Sequence, residues 1–235
     1  MRSETDAAVR DDDVAAAVGI LAAAGVVAYP TETVYGLGVD ARDPAAIATL
    51  LRLKGREEGR GISVLVADLD MARGLLADAP CPDAVALAAR FWPGPLTIVL
   101  PAADSVAEAL RGPSGGIGLR CSSDPWAAAL VQRFGAPVTS TSANRSGAEP
   151  ARSAADVRQA FAFDGGVTVG RPSRATSASR ESAAPLFILD GGERRGTEVS
   201  TVVEFSKGRA TVRRRGAISA ESIASVISLA EDPRG

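Results

Sequence analysis

Pro30-Thr31-Glu32-Thr33-Val34-Tyr35-Gly36-Leu37-Gly38 is the stretch on which the reading of the fold turns. It follows without a break on Val26-Val27-Ala28-Tyr29, a short β-like run that ends at the proline. A buried strand opening directly into hydroxyls, one carboxylate and two glycines matches a strand end in an open α/β sheet, where ligands bind. The same residues would also make an ordinary turn in which Thr31 and Thr33 bond their own backbone.

Immediately upstream, Val14 to Pro30 carries no charge and is rich in Ala and Gly. It is shorter than the roughly 20 residues that a membrane span needs. Asp11, Asp12 and Asp13 stand where a secretory leader would carry basic residues. Three carboxylates suit the positive end of a helix, so a buried helix is expected from 11 to about 24, stopped by Gly25.

Downstream, helices and strands interleave. Asp43-Pro44 and Asp124-Pro125 each place a capping carboxylate before a proline at the first helical position, opening helices to about Leu53 and Gly135. Further helices are expected over 71–76, 83–90, 156–161 and 220–229. Strands are expected over 63–66, 96–100, 117–120, 137–140, 187–189, 201–205 and 210–213. The class is α/β or α+β, built on one mixed sheet. Residues 163–185 are rich in Ser, Arg, Gly and Pro and read as a mobile insertion, more disorder than lid. No internal repeat or linker divides the 235 residues, which read as a single domain with its core over about 14–227.

Composition excludes several chemistries. The chain has no histidine, which removes Ser-His triads, imidazole acid–base catalysis and histidine metal sites together. Two cysteines, Cys81 and Cys121, cannot build a structural zinc site and read as free thiols in a reducing, cytoplasmic compartment. The net charge of −2 gives no global attraction to nucleic acid or membrane, so any anion site must come from locally placed Arg and Lys.

Three other stretches stand apart from ordinary packing. Lys54-Gly55-Arg56-Glu57-Glu58-Gly59-Arg60-Gly61 alternates cations with bare backbone. It could cradle a polyphosphate or form a solvated basic turn, and it lacks the spacing of a Walker loop. Ser140-Thr141-Ser142-Ala143-Asn144-Arg145-Ser146-Gly147 packs short donors after a strand, as an anion site or a serine turn would. Ser200-Thr201-Val202-Val203 leads toward Arg213-Arg214-Arg215, a charged edge strand or a place for RNA phosphates. Arg120 adds a cation at the end of Gly116-Ile117-Gly118-Leu119-Arg120.

Read together, these stretches resemble the YrdC/TsaC family of threonylcarbamoyl-AMP synthases. The match is carried by PTETVYGLG (30–38), KGR (54–56), WPGPLTIVL (92–100), GIGLR (116–120), PVTSTSANRSG (137–147), STVV (200–203) and RRGAIS (214–219), in the family's order. The resemblance implies a twisted, mostly mixed sheet with a large, positively charged concave surface. It implies a reaction of L-threonine, bicarbonate and ATP, assisted by Mg²⁺, giving threonylcarbamoyl-AMP and pyrophosphate. The product would serve threonylcarbamoyladenosine formation at position 37 of tRNA, reached directly or through a downstream transferase complex, with no membrane involved.

By motif position, the resemblance implies that Thr33, Arg120, Ser140 and Ser200 contact threonine, with Arg120 on its carboxylate. It places Lys54, Arg56 and Arg60 on the ATP phosphates as charge stabilisers. Ser142, Asn144, Gly116, Pro150 and Arg214 become further ATP contacts. It assigns no nucleophile and no metal ligand from the protein. Gly61-Ile62 stands where the family usually has Pro-Leu, and Leu65 where it often has histidine. Other readings of the residues are an RNA-binding module, a paralogue with altered substrate, and a carbamoyl-adenylate enzyme of metallo-enzyme maturation. The last lacks room here for its zinc-finger and acylphosphatase modules.

Overall fold

The computed structural model describes residues 9–55, 59, 61–162, 167–169, 186–196 and 198–230. In chain order the elements are α1 (Asp11–Ala22), β1 (Val26–Tyr29), β2 (Gly36–Gly38), α2 (Pro44–Lys54), β3 (Ser63–Leu65), α3 (Leu69–Arg73), α4 (Pro82–Phe91) and β4 (Leu96–Pro101). They continue with β5 (Gly116–Arg120), α5 (Pro125–Phe134), β6 (Val138–Ser142), α6 (Ala154–Phe161), β7 (Val167–Val169), β8 (Leu186–Ile188), β9 (Thr201–Ser206), β10 (Arg209–Arg214) and α7 (Ala220–Ala224).

The local signals act as their chemistry requires. The Asp43 carboxylate accepts from the backbone of Ala45 and Ala46, and Asp124 from Trp126 and Ala127. Each satisfies amides that the first turn leaves without partners. Gly55 and Gly135 close α2 and α5 in the left-handed conformation. At the end of α1 the left-handed residue is Ala24, at φ 59°. Gly25 is needed for a different reason: a Cβ there would lie 2.6 Å from the Ile20 methyl. The closing helix is shorter than the expected 220–229. Beyond Ala224 the Ser225 hydroxyl bonds the Ser222 carbonyl, and the Ala230 amide bonds Ala210 on β10.

Among the described residues ten strands form one mixed sheet in the order β10-β9-β4-β5-β3-β6-β2-β1-β8-β7. Two strands escaped the sequence reading. β2 is too short and glycine-rich for alternation to show, yet it pairs antiparallel with β1, setting Tyr29 opposite Gly36. β7 lies within the expected insertion over 163–185, most of which is outside the described residues. β6 extends past the expected 140, so the hydroxyl run through Ser142 belongs to the sheet.

Side chains alternate across the sheet, and the two faces have different cover. Val26 and Ala28 belong to the larger core with α2, α4 and α6, through Ile47, Leu50, Leu87 and Phe161. Val27 and Tyr29 join a smaller cluster under α1 and α5 with Leu21, Trp126 and Leu130. Leu65 and Val138 lie in that same cluster. Ser63 and Ser140, two residues along on β3 and β6, share their strand faces. The α1/α5 cover therefore stops partway along the sheet, and an open polar floor begins there.

Candidate functional site

That floor belongs to a cavity of about 600 Å³. Strand alternation builds it. On β4, Leu96, Ile98 and Leu100 point to the core while Thr97 and Val99 face the cavity. On β5, Ile117 and Leu119 are core while Gly116, Gly118 and Arg120 face the cavity. On β9, Val203 is core while Val202 and Glu204 face it, as does Ser200 just before the strand. The glycines keep the middle low. A Cβ at Gly116 would lie 2.8 Å from a Val99 methyl, and one at Gly118 would lie 2.9 Å from the Ser63 hydroxyl.

Eight of the sequence-derived positions line this one cavity. They are Thr33, Arg120, Ser140 and Ser200, together with Gly116, Ser142, Pro150 and Arg214. Lys54 and Asn144 lie directly behind its wall. Lys54 is 3% exposed and its ammonium donates to the Ser142 carbonyl, the Asn144 carbonyl and the Asn144 Oδ1. Asn144 in turn donates to the Arg145 and Ala148 carbonyls, holding the turn after β6 in shape. Arg56 and Arg60 lie outside the described residues.

Two guanidinium groups converge on the floor. Arg120 is 6% exposed and donates through Nη2 to the Thr33 hydroxyl at 3.2 Å. The same nitrogen sits 3.0 Å from Glu32 Oε1, forming an ion pair. Arg120 Nε has no acceptor among the described residues. Arg214 donates to the Ser200 carbonyl at 3.0 Å and to the Ser200 hydroxyl at 2.8 Å. That hydroxyl also meets Thr97 Oγ1 at 3.1 Å. Burial, and then the Arg120 charge nearby, push the Arg214 guanidinium below its ordinary value. An anion held between the two cations relieves that repulsion.

Behind Arg120 the carboxylates are committed. Burial drives the Glu32 carboxyl upward, but Arg120 and a hydrogen bond from the Ser122 hydroxyl outweigh it and hold the group below the ordinary carboxylate range. Asp124 is raised by its own burial, against the opposing pull of Arg194. The segment 190–196 is stitched to the Pro30–Gly36 stretch: the Tyr35 hydroxyl donates to the Gly192 carbonyl at 2.9 Å. Burial pushes that phenol up to about 12.

Sequence reasoning missed Thr97, Glu204 and Arg194. Thr97 is the lone polar residue inside LTIVL, and Glu204 is four residues beyond Ser200 on a strand. Both follow from alternation once the cavity face is known. Nothing in DGGERRG (190–196) marks Arg194. No group of three or more metal-ligating side chains occurs among the described residues. Glu204, the carboxylate facing the cavity, is engaged by Arg213 at 2.8 Å. The described residues therefore form no cage of their own for a divalent cation.

Proteins of similar sequence and fold give this cavity its context. The family model Sua5_yciO_yrdC, described as "Telomere recombination", matches residues 19–216. A threonylcarbamoyl-AMP synthase of Alkalilimnicola ehrlichii is 49% identical over 138 residues, 59% of this chain and 71% of that protein. The synthase of Halorhodospira halophila is 45% identical over 137 residues, 58% of this chain and 71% of that protein. Among solved structures, P. abyssi Sua5 complexed with L-threonine superimposes with a TM-score of 0.77 at 31% identity, over 91% of this chain. This chain covers only 57% of that one's length. E. coli YciO shares the fold, with a TM-score of 0.71 at 24% identity, over 89% of this chain and 92% of its own. With the family model matching residues 19–216, most of its length, the chain belongs to the Sua5/YciO/YrdC family.

Proposed function

We propose that this protein is a cytoplasmic L-threonylcarbamoyl-AMP synthase, joining L-threonine, bicarbonate and ATP and releasing pyrophosphate and water. The observation that carries the reading is the meeting of Arg120 and Arg214 beside the hydroxyls of Thr33, Ser140 and Ser200 in one cavity. A carboxylate fits a guanidinium fork, and a short hydroxylated side chain fits a wall of hydroxyls. Two relatives bear the name of this activity, and one relative was solved with threonine bound.

In the reaction, the threonine amine nitrogen bonds the carbon of CO₂ drawn from bicarbonate and loses a proton, giving a carbamate. A carbamate oxygen then forms a bond to the α-phosphorus of ATP, and the bond to the bridging β-phosphate oxygen breaks. This is nucleotidyl transfer with pyrophosphate as the leaving group. Arg120 holds the carboxylate, and the hydroxyl wall fixes the amine on one side of the nucleotide. Holding both reactants in line supplies about 7–11 kcal/mol of the barrier reduction.

Arg214, seated on Ser200, offsets negative charge as the α-phosphorus gains an oxygen. Lys54 shapes the nucleotide wall through Ser142 and Asn144, and its charge lies one layer behind the phosphates; Arg56 and Arg60 complete the phosphate grip. Mg²⁺ accompanies ATP as part of the substrate. The adenylate passes to a tRNA-modifying transferase, in a single-domain protein with its core over about 14–227.

The test is pyrophosphate release from ATP with threonine and bicarbonate each omitted in turn. Release that requires both supports the reading, and release indifferent to threonine overturns it. Serine in place of threonine, lacking one methyl, should work less well.

A further inference from the structure

Arg194 and Asp124 form the most deeply buried ion pair among the described residues, with side chains 9% and 2% exposed and 2.5 Å between Arg194 Nη1 and Asp124 Oδ2. Arg194 Nη2 also donates to the Gly191 carbonyl. Arg194 touches nothing in the cavity, yet the pair leads there. The Asp124 amide donates to the Ser122 hydroxyl at 3.2 Å, and that hydroxyl donates to Glu32 Oε2. Glu32 Oε1 faces Arg120, which holds Thr33. One buried line therefore runs from Arg194, positive, through Asp124 and Glu32, both negative and separated by a serine hydroxyl, to Arg120, positive.

We infer that Arg194 is a positioning residue for the amino-acid carboxylate, acting on Arg120 through Asp124, Ser122 and Glu32. The inference rests on the proposed reading of Arg120 as the carboxylate's partner. With Arg194 in place, each carboxylate has its own guanidinium, and Glu32 holds Arg120 in one orientation. Without it, Asp124 and Glu32 compete across Ser122 for Arg120 alone. Unpaired charge in this burial is not tolerated, so Arg120 turns toward the pair or one carboxyl takes up a proton. Either outcome spoils the fork presented to substrate and leaves the nucleotide end of the cavity untouched.

Arg194 also ties the 190–196 segment down, so the experiment must separate charge balance from simple attachment. The steady-state KM values for threonine and ATP are measured in threonine-dependent pyrophosphate release for wild type, Arg194→Met, and Arg194→Met combined with Asp124→Asn. Asparagine keeps the helix cap on α5 while removing the charge. In Arg194→Met the KM for threonine should rise roughly tenfold while that for ATP stays within about twofold. The double variant, which has lost the tie but regained charge balance, should return to within about threefold of wild type for threonine.

Equal shifts in both KM values, or a double variant no better than the single, overturn the inference. If Arg194→Met does not fold, Arg194→Lys against Arg194→Gln carries the same contrast. Lysine should keep the threonine KM near wild type and glutamine should raise it; equal values from the two overturn the inference. Wild-type protein that ignores threonine overturns the synthase reading itself, whereas threonine dependence with Arg194 variants unaffected overturns only the role given to Arg194.

Discussion

Arg120 donates to the hydroxyl of Thr33 at 3.2 Å although 87 positions separate the two residues. Thr33 sits in the turn between β1 and β2, and Arg120 ends β5. Their meeting joins PTETVYGLG (30–38) and GIGLR (116–120) at one point on the cavity floor, with the Glu32 carboxylate against the guanidinium.

Replacing the fork without the charge tests this junction. Arg120→Lys keeps a cation beside Glu32 but cannot bond two oxygens in parallel. Threonine affinity by calorimetry should fall at least about tenfold, the equivalent of about 1.4 kcal/mol. ATP affinity should change far less. Undiminished threonine binding would remove Arg120 from the site.

Lys54 should matter for stability as well as for nucleotide use. Its buried ammonium satisfies two carbonyls and the Asn144 side chain. Lys54→Met leaves those acceptors unmet and should cost about 2 kcal/mol in denaturant unfolding. The turn at Ser142–Asn144 should loosen with it, raising the KM for ATP more than that for threonine. A variant of wild-type stability that still binds ATP normally contradicts this placement.

Gly118 offers a steric test of the floor. A Cβ there would meet the Ser63 hydroxyl at 2.9 Å and a Thr97 methyl at 3.2 Å, both of them side-chain atoms that can shift. Gly118→Ala should therefore fold, at a cost of about 1 kcal/mol. The methyl occupies floor space beside Ser63 and Thr97 and should weaken substrate binding. Unaltered KM values would place the substrates elsewhere.

The acid limb of stability should report on Glu32. Its folded carboxyl is held below the ordinary 4.5. Its contribution is therefore complete above pH 4.5 and is lost as pH falls through the lower folded value. Unfolding free energy followed from pH 6 to pH 3 should drop more steeply in wild type than in Glu32→Gln. Asp124 works in the opposite direction, because its folded carboxyl is raised above the ordinary 3.8. Asp124→Asn should therefore steepen the acid loss. Parallel curves for wild type and Glu32→Gln would contradict the ion pair with Arg120.

Much of the fold was legible wherever the deciding chemistry is local. Asp43-Pro44 and Asp124-Pro125 start helices because a carboxylate and a fixed φ act within a few residues. LTIVL and GIGLR read as strands because alternation has a period of two. The cavity residues Gly116 and Arg120 on β5 and Ser200 just before β9 were found by motif. Thr97 and Glu204 were not, because which face of a strand lies against solvent depends on where α1 and α5 stop covering the sheet. β2 was invisible because three residues, two of them glycine, carry no pattern.

By itself, the amino-acid order determined the helix starts, most of the strands, the absence of imidazole chemistry and the set of hydroxyls and cations available to a site. Only the tertiary structure decided how those groups are used. It buried Lys54 behind Ser142, joined Asp124 to Arg194 across 70 positions, and seated Arg214 on Ser200. The physical reason is that caps and alternation act between neighbours in the chain. Buried ion pairs act between neighbours in space, and the order β9-β4-β5-β3-β6-β2 that makes them neighbours is set by core packing, which leaves no local trace.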